Sequence, residues 1–373
     1  MMRRVLFLLM LMLLVCLQVA CGDAYAPASD AGGPVASPSS SSQATTLAQA
    51  ATGKFQEFAL PQDNSGLMRP ALDGQGRLWF GEMNRNYLAS FDPRTGTFWQ
   101  QTPPDGKAGI MGLVAAPDNT IWFTEQYANY IGHYFPITGQ YKVYPLPTLH
   151  VPDPGNASKT LILPSAPNDI ILDQHGTLWF TELNANALGS LNTSNGSIQQ
   201  YPLTRAKNAK SLDPYGITAD LQGQIWFTEA SSSRLGRLNP LTGQIDYFTP
   251  PGITMPLMEV TSDAHGQIWA TTFTVGLLIH FDPTSGQFTN YSAPVLNGGN
   301  AGGLYGLALS RKGDVWVTVS SQNMLARLDV KARRFFYYTI PTGSSLPIGL
   351  AIGKNQAVWF TESGSNKIGL LQP

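Results

Sequence analysis

The stretch PYGITADLQGQIWFTEASSSRLGRLNP, residues 214–240, decides the fold. Its centre returns with small changes as IWFTEQYANYIGHYF at 121–135 and LWFTELNANALGSLN at 178–192. Seven of the eight tryptophans sit at this one repeat position: Trp79, Trp122, Trp179, Trp226, Trp269, Trp316 and Trp359, at intervals of 43, 57, 47, 43, 47 and 43 residues. A period near 40–50 marks propeller blades or another repeat architecture. Each period holds four short β-like runs, as in YGITAD, QIWFTE, RLGRLN and QIDYFTP, divided by turn residues such as PLTG. Helical periodicity is confined to the N-terminal leader. The reading is all-β, a seven-bladed β-propeller of four-stranded antiparallel blades.

The outermost run recurs six times after a tryptophan, from TFWQQTP to FFYYTIP, and the chain ends one strand short at SNKIGLLQP. A seventh copy, FQEFALP at 55–61, precedes the first tryptophan. It is expected to complete the last blade and close the ring, which removes a seam between unpaired edges. One blade cannot bury its faces alone, whereas seven around an axis can. Alternation along the strand puts Trp and Thr of WFTE on one face and Phe on the other. The tryptophans are therefore packing residues.

The rest of the chain has other characters. MMRRVLFLLMLMLLVCLQVAC (1–21) reads as a secretory leader, because its apolar run is shorter than the about 20 residues of a spanning helix. Cys21, after Val19 and Ala20, suits lipidation, with simple cleavage or retention as the other readings; Gln18 is unusual for a lipidation site. Residues 22–53, with SPSSSSQATT, are small and polar and are expected to be a disordered tether before the propeller at 54–373. The only cysteines, Cys16 and Cys21, lie in the leader, so the remaining chain has neither an internal disulfide nor a thiolate metal site. A net charge of −1 gives no footprint for nucleic acid.

In an antiparallel hairpin the start of the inner strand lies beside the end of the next. Each blade should thus bring one inner-strand residue and one strand-end residue to the same mouth. The inner positions are Met68, Met111, Asn168, Tyr215, Met258, Tyr305 and Ile348, an apolar collar suited to an apolar or peptide-like ligand. The strand ends are Glu82, Glu125, Glu182, Glu229, Thr272, Val319 and Glu362. Two readings of the glutamates stay open. Buried carboxylates could brace turns through hydrogen bonds. Or one or two could hold a divalent cation or act as acid or base. Blade four is the best place for the second reading, through Asp213, Tyr215 and Glu229, with Asp169 and Glu182 of blade three close by.

Histidines contribute little to such a site. His175 and His265 fall in tight turns away from the mouth, and His133 and His280 on third strands. His150 belongs to the insertion TLHVPDPGNASKTLILPS (148–165), which is either a lid over the mouth or a surface loop. The insertion TRAKNAKS (204–211) carries Arg205, Lys207 and Lys210, either a solvated charge run or an attractor for an anionic ligand. There is no phosphate-binding loop and no GxSxG elbow.

The pattern xPxGI, GxLWFTE, NxIGxL and DPxTG resembles the streptogramin (virginiamycin B) lyase family of seven-bladed propellers, over residues 54–373. The resemblance implies opening of cyclic depsipeptides by elimination across the ester C–O bond, with Mg²⁺ polarising the ester and a histidine moving a proton. It implies a Glu-x-His at the inner strand of the last blade, the WFTE glutamate fourteen residues after the histidine, and a further histidine one blade earlier. Glu362 matches. Leu346 and Ile348 stand in place of the Glu and His, and Tyr305 in place of the further histidine. The expectation is an exported monomer, secreted or held to a membrane only by a lipid anchor, that binds a small molecule, a peptide-like ligand or a protein loop. The alternative is a Mg-dependent C–O lyase with a relocated centre: Asp213, Tyr215 and Glu229 as catalytic residues, and Glu229, Asp213 and Glu362 as metal ligands.

Overall fold

The computed structural model describes residues 41–373 apart from 105, 108, 154–155, 205–210, 294 and 296–301. The leader, Cys21 and the basic residues Arg205, Lys207 and Lys210 lie outside the described residues. Seven antiparallel sheets follow one another, each ordered from axis to rim as in Leu67–Leu72, Leu78–Glu82, Tyr87–Asp92 and Thr97–Gln101 of blade one. Inner strands of successive blades lie side by side, and Pro347–Ile352 of blade seven returns against Leu67–Leu72 of blade one. The architecture is the expected seven-bladed propeller.

Three N-terminal strands run round the rim: β1 (Ser41–Ala44), β2 (Leu47–Ala50) and β3 (Lys54–Ala59). As expected, β3 supplies the outer strand of blade seven, antiparallel to Lys367–Gln372 with Phe58 opposite Ile368. The other two correct the expectation of a free tether at 41–50. β1 adds a parallel fifth strand to Gln287–Ser292 of blade five, and β2 does the same to Arg334–Thr339 of blade six. Outer edges offer unpaired N–H and C=O groups that any extended segment can satisfy without burying side chains. Within these two strands only Ala44 is buried, against the cluster containing Trp269 and Tyr291.

The insertion after blade two is a hairpin, Thr148–Asp153 paired with Asn156–Pro164, and His150 on it is exposed. His175 and His265 are exposed in their turns. His133 stacks on Trp122 at 3.6 Å between ring centroids, and His280 packs tilted against Trp269 at 4.5 Å.

Each letter of WFTE has a separate physical task. The indole Nε1 of Trp79, Trp179, Trp226 and Trp269 donates to an aspartate six residues earlier, at 2.8–3.2 Å. The other oxygen of that aspartate caps two amides of the tight turn, so one carboxylate fixes both the turn and the ring. Phe180 and Phe227 press on Gly189 and Gly236 of the third strand, where an added Cβ would lie 2.0 Å from the ring. Only glycine leaves room there, which explains the G in NxIGxL.

The threonine is a clasp between blades. Thr181 Oγ1 accepts from the Asp169 amide (3.1 Å) in its own blade and donates to the Tyr215 carbonyl (2.9 Å) in the next. Thr124, Thr228, Thr271, Thr318 and Thr361 make the same pair of bonds. Blade one has Gly81 at this position, packed on Ile110.

Candidate functional site

The inner strand of every blade begins with an irregularity: Pro214 pairs with Glu229, and regular pairing resumes only at Ile217 opposite Phe227. The strand-end glutamate thus faces the residue before Tyr215, one step from the expected register. The extra residues turn the inner positions onto the axis. Met68, Met111, Tyr215, Met258, Tyr305 and Ile348 meet there, joined by Met83, Leu183, Ala230 and Ala166. Asn168, also fully buried, donates from Nδ2 to the Tyr215 carbonyl at 3.0 Å. The collar expected to line an open mouth is a closed apolar floor: none of its seven residues exceeds 6% exposure.

The glutamates turn away from that floor into their own blades. Glu82 accepts from Gln100 and Glu182 from Gln200, both on the outer strand. A Cβ on Gly132 or Gly189 would come within 2.5 and 2.7 Å of Glu125 Oε1 and Glu182 Oε1, so these carboxylates lie over the third strand. In blade four Tyr247 replaces the outer-strand glutamine, opposite Gly236, and Arg234 takes over. Its Nε and Nη2 hold Glu229 at 2.7 and 3.0 Å while the guanidinium stacks on Tyr247. In blade seven Glu362 accepts from Ser365 (2.8 Å) and meets Glu57 of β3. Burial, then the Glu57 charge, push Glu362 up to about 7. Burial likewise pushes Glu182 up to about 7 against its bonds from Gln200 and Ser165. Wherever a partner is defined, the glutamate braces its blade.

The three residues expected as a relocated centre do not converge. Asp213 and Glu229 are close enough for Asp213 to raise the Glu229 pKa, after burial has done so. Asp213 is nevertheless tied to Ser211 (2.6 Å) and Ser231, and Glu229 to Arg234. The Tyr215 hydroxyl bonds instead to Tyr305 on the axis. Glu362 stands in blade seven, three blades from Asp213 and Glu229. Among the described residues no three His, Cys, Asp or Glu side chains are placed to hold a metal ion together. Leu346 and Ile348 have no donor for Mg²⁺, and Glu362 is directed at β3, so these residues do not fit the ion.

One feature of the backbone marks this face. In six of the seven blades the residue leading into the inner strand is left-handed, as Gly66, Gly109 and Gly303 readily are, yet Ala166, Asp213 and Leu346 adopt φ of 59°, 49° and 48°; blade five has Pro256 there. Such strain is stored where the surrounding structure over-determines it.

The sequence reading missed a second group beneath the floor. The residue after each inner position runs Arg69, Gly112, Asp169, Gly216, Glu259, Gly306, Gly349 round the ring. Arg69 Nε and Nη2 reach Glu259 Oε1 at 2.9 and 2.7 Å, and Nε lies 3.6 Å from Asp169 Oδ1. Three charges alternating with glycine, in a chain so poor in charge, were the available signal.

An all-β ring of seven four-stranded blades, closed by an N-terminal strand and floored with methionine and tyrosine, defines a seven-bladed β-propeller with one face organised around its axis. The chain belongs to the virginiamycin B lyase family, whose model matches residues 40–206 and 164–373. Among solved structures it is similar to a streptogramin B lyase (26% identity, TM-score 0.74), covering 86% of this chain and 97% of that one. It is similar to a catalytically inactive histidine-to-alanine virginiamycin B lyase from Staphylococcus aureus with quinupristin (25% identity, TM-score 0.74, 86% and 100% covered). It shares its fold with the extracellular domain of a putative hybrid two-component system from B. thetaiotaomicron (18% identity, TM-score 0.64, 86% and 40% covered). No curated protein matches the chain.

Proposed function

We propose that this chain is an exported propeller of the virginiamycin B lyase family that binds an apolar or peptide-like ligand on its mouth face, without the proton-transfer chemistry the resemblance implies. The observation that carries this reading is the replacement of the acid–base positions. Leu346 and Ile348 stand where a Glu-x-His is implied, and both belong to the apolar floor. Aliphatic side chains can neither carry a proton nor polarise an ester. Methionine and aromatic side chains, in contrast, adapt to apolar partners of varied shape.

Export rests on the leader, and attachment through Cys21 is part of the same proposal. The partner is a small molecule, a peptide-like ligand or a protein loop, and the domain acts as a monomer without nucleic acid. Quinupristin with Mg²⁺ tests the reading, with calorimetry for binding and mass spectrometry for ring opening. Binding that weakens at least tenfold in Met111→Ala, with the depsipeptide intact, is expected. Ring opening abolished by Glu229→Gln would instead establish the second reading, a Mg-assisted lyase centred on Asp213 and Glu229. That reading draws on the strained Asp213 beside the buried Glu229.

A further inference from the structure

Five side chains from five blades meet on the axis: Arg69, Asp169, Tyr215, Glu259 and Tyr305. The guanidinium carbon of Arg69 lies 5.1 and 5.8 Å from the ring centres of Tyr215 and Tyr305, whose hydroxyls bond to each other. Asp169 also accepts from the amides of Ile170 (3.0 Å) and Ile217 (3.1 Å), the second belonging to the next blade. The intervening glycines make this approach possible. A Cβ on Gly216 would come 2.6 Å from the Met258 carbonyl oxygen, and one on Gly349 would come 2.8 Å from the Arg69 Cα.

The charges do not cancel. Arg69 carries one positive charge, and the two tyrosines stay protonated because burial drives both pKa values up. If both carboxylates ionised, a net negative charge would remain on the buried axis, and an uncompensated buried charge is expensive. Retaining one proton on the pair removes that cost. Arg69, Asp169 and the two tyrosines are the titratable or charged groups facing Glu259.

We propose that Arg69, Asp169 and Glu259 form a proton-dependent lock across the propeller axis. With one proton on the two carboxylates the cluster is neutral and ties blades one, three and five together beneath the mouth floor. Release of that proton to solvent leaves a net negative charge and loosens the inner strands. The lock is independent of what binds above it. Burial and the charge of Asp169 push Glu259 up to about 7 although Arg69 opposes them, and burial raises Asp169 as well. A carboxylic acid raised in the folded state contributes its full stability below the unfolded value near 4.5 and loses it as pH rises through about 7.

Amide hydrogen exchange of the full chain at pH 6 and 8.5, corrected for intrinsic rates, tests this at the inner strands 67–72, 167–172 and 257–262. Protection there is expected to fall about tenfold more than on the outer strands, the equivalent of roughly one pKa unit. Glu259→Gln mimics the protonated acid and should abolish that excess fall. Glu182→Gln with Glu362→Gln, which removes the two carboxylic acids outside the cluster that are raised to about 7, should leave it in place. The charge-free variant Arg69→Met, Asp169→Asn, Glu259→Gln should fold and also show no excess. An excess fall that persists in Glu259→Gln, or is absent from the natural protein, overturns the proposal.

Discussion

Thr361 Oγ1 donates to the Met68 carbonyl at 2.9 Å, a bond between residues 293 positions apart that joins the last blade to the first. It is the same clasp that Thr124 throws to Asn168 and Thr318 to Ile348 within the ring. Closure therefore rests on a repeated contact as well as on β3.

Replacing a clasp threonine by valine keeps the shape and removes both bonds. Thr181→Val would leave the buried Asp169 amide without its acceptor and the Tyr215 carbonyl with only its bond from Asn168. The expected cost is about 1–3 kcal/mol in equilibrium unfolding by denaturant. Thr181→Ser should recover most of it.

Gly189→Ala tests the space under the tandem Phe180 and Glu182. The added methyl would stand 2.0 Å from the ring and 2.7 Å from the carboxylate oxygen, neither of which can move without disturbing the blade. A loss of about 1–3 kcal/mol is expected. Gly139→Ala, at a turn where nothing stands within 4 Å but φ is 70°, should show only the smaller strain of a left-handed backbone.

The belt of β1 and β2 should come off before the ring opens. Its side chains are exposed apart from Ala44, so its attachment is chiefly backbone pairing. Hydrogen exchange should show residues 41–50 protected far less than β3. Ala44→Asp, which buries a charge beside Trp269 and Tyr291, should erase protection at 41–44 while the melting temperature stays within a few degrees.

Stability should decline as pH rises from 5.5 to 8. Glu182 and Glu362, raised from 4.5 to about 7 mainly by burial, hold protons in the fold that the unfolded chain has released. Their contribution is complete below 4.5 and lost as pH climbs through about 7. His133 acts in the other direction. Burial lowers it from 6.5 to about 4, so its neutral form favours the fold above 6.5, and that advantage is lost as pH falls toward 4. Thermal unfolding of Glu182→Gln with Glu362→Gln should show a shallower decline above pH 5.5, the remainder belonging to the Glu259 cluster.

Much of this molecule could be read directly. Blade number, strand order, ring closure by residues 55–61 and the places of the histidines all followed from the tryptophan period and the turn residues. Those features are local and repeat, so a pattern along the chain is enough to fix them. That Leu346 and Ile348 carry no titratable group was legible for the same reason, since folding cannot supply a side chain with one.

Direction and partnership were decided only in three dimensions. The sequence placed Glu229 beside Tyr215, but the irregular start of the inner strand and Arg234 sent one into the blade and the other to the axis. It left residues 41–50 as a tether because their composition cannot bury a core, whereas an unpaired sheet edge asks only for a backbone. It did not announce the Arg69–Glu259 contact, because residues 190 positions apart on different blades meet only when the ring has closed.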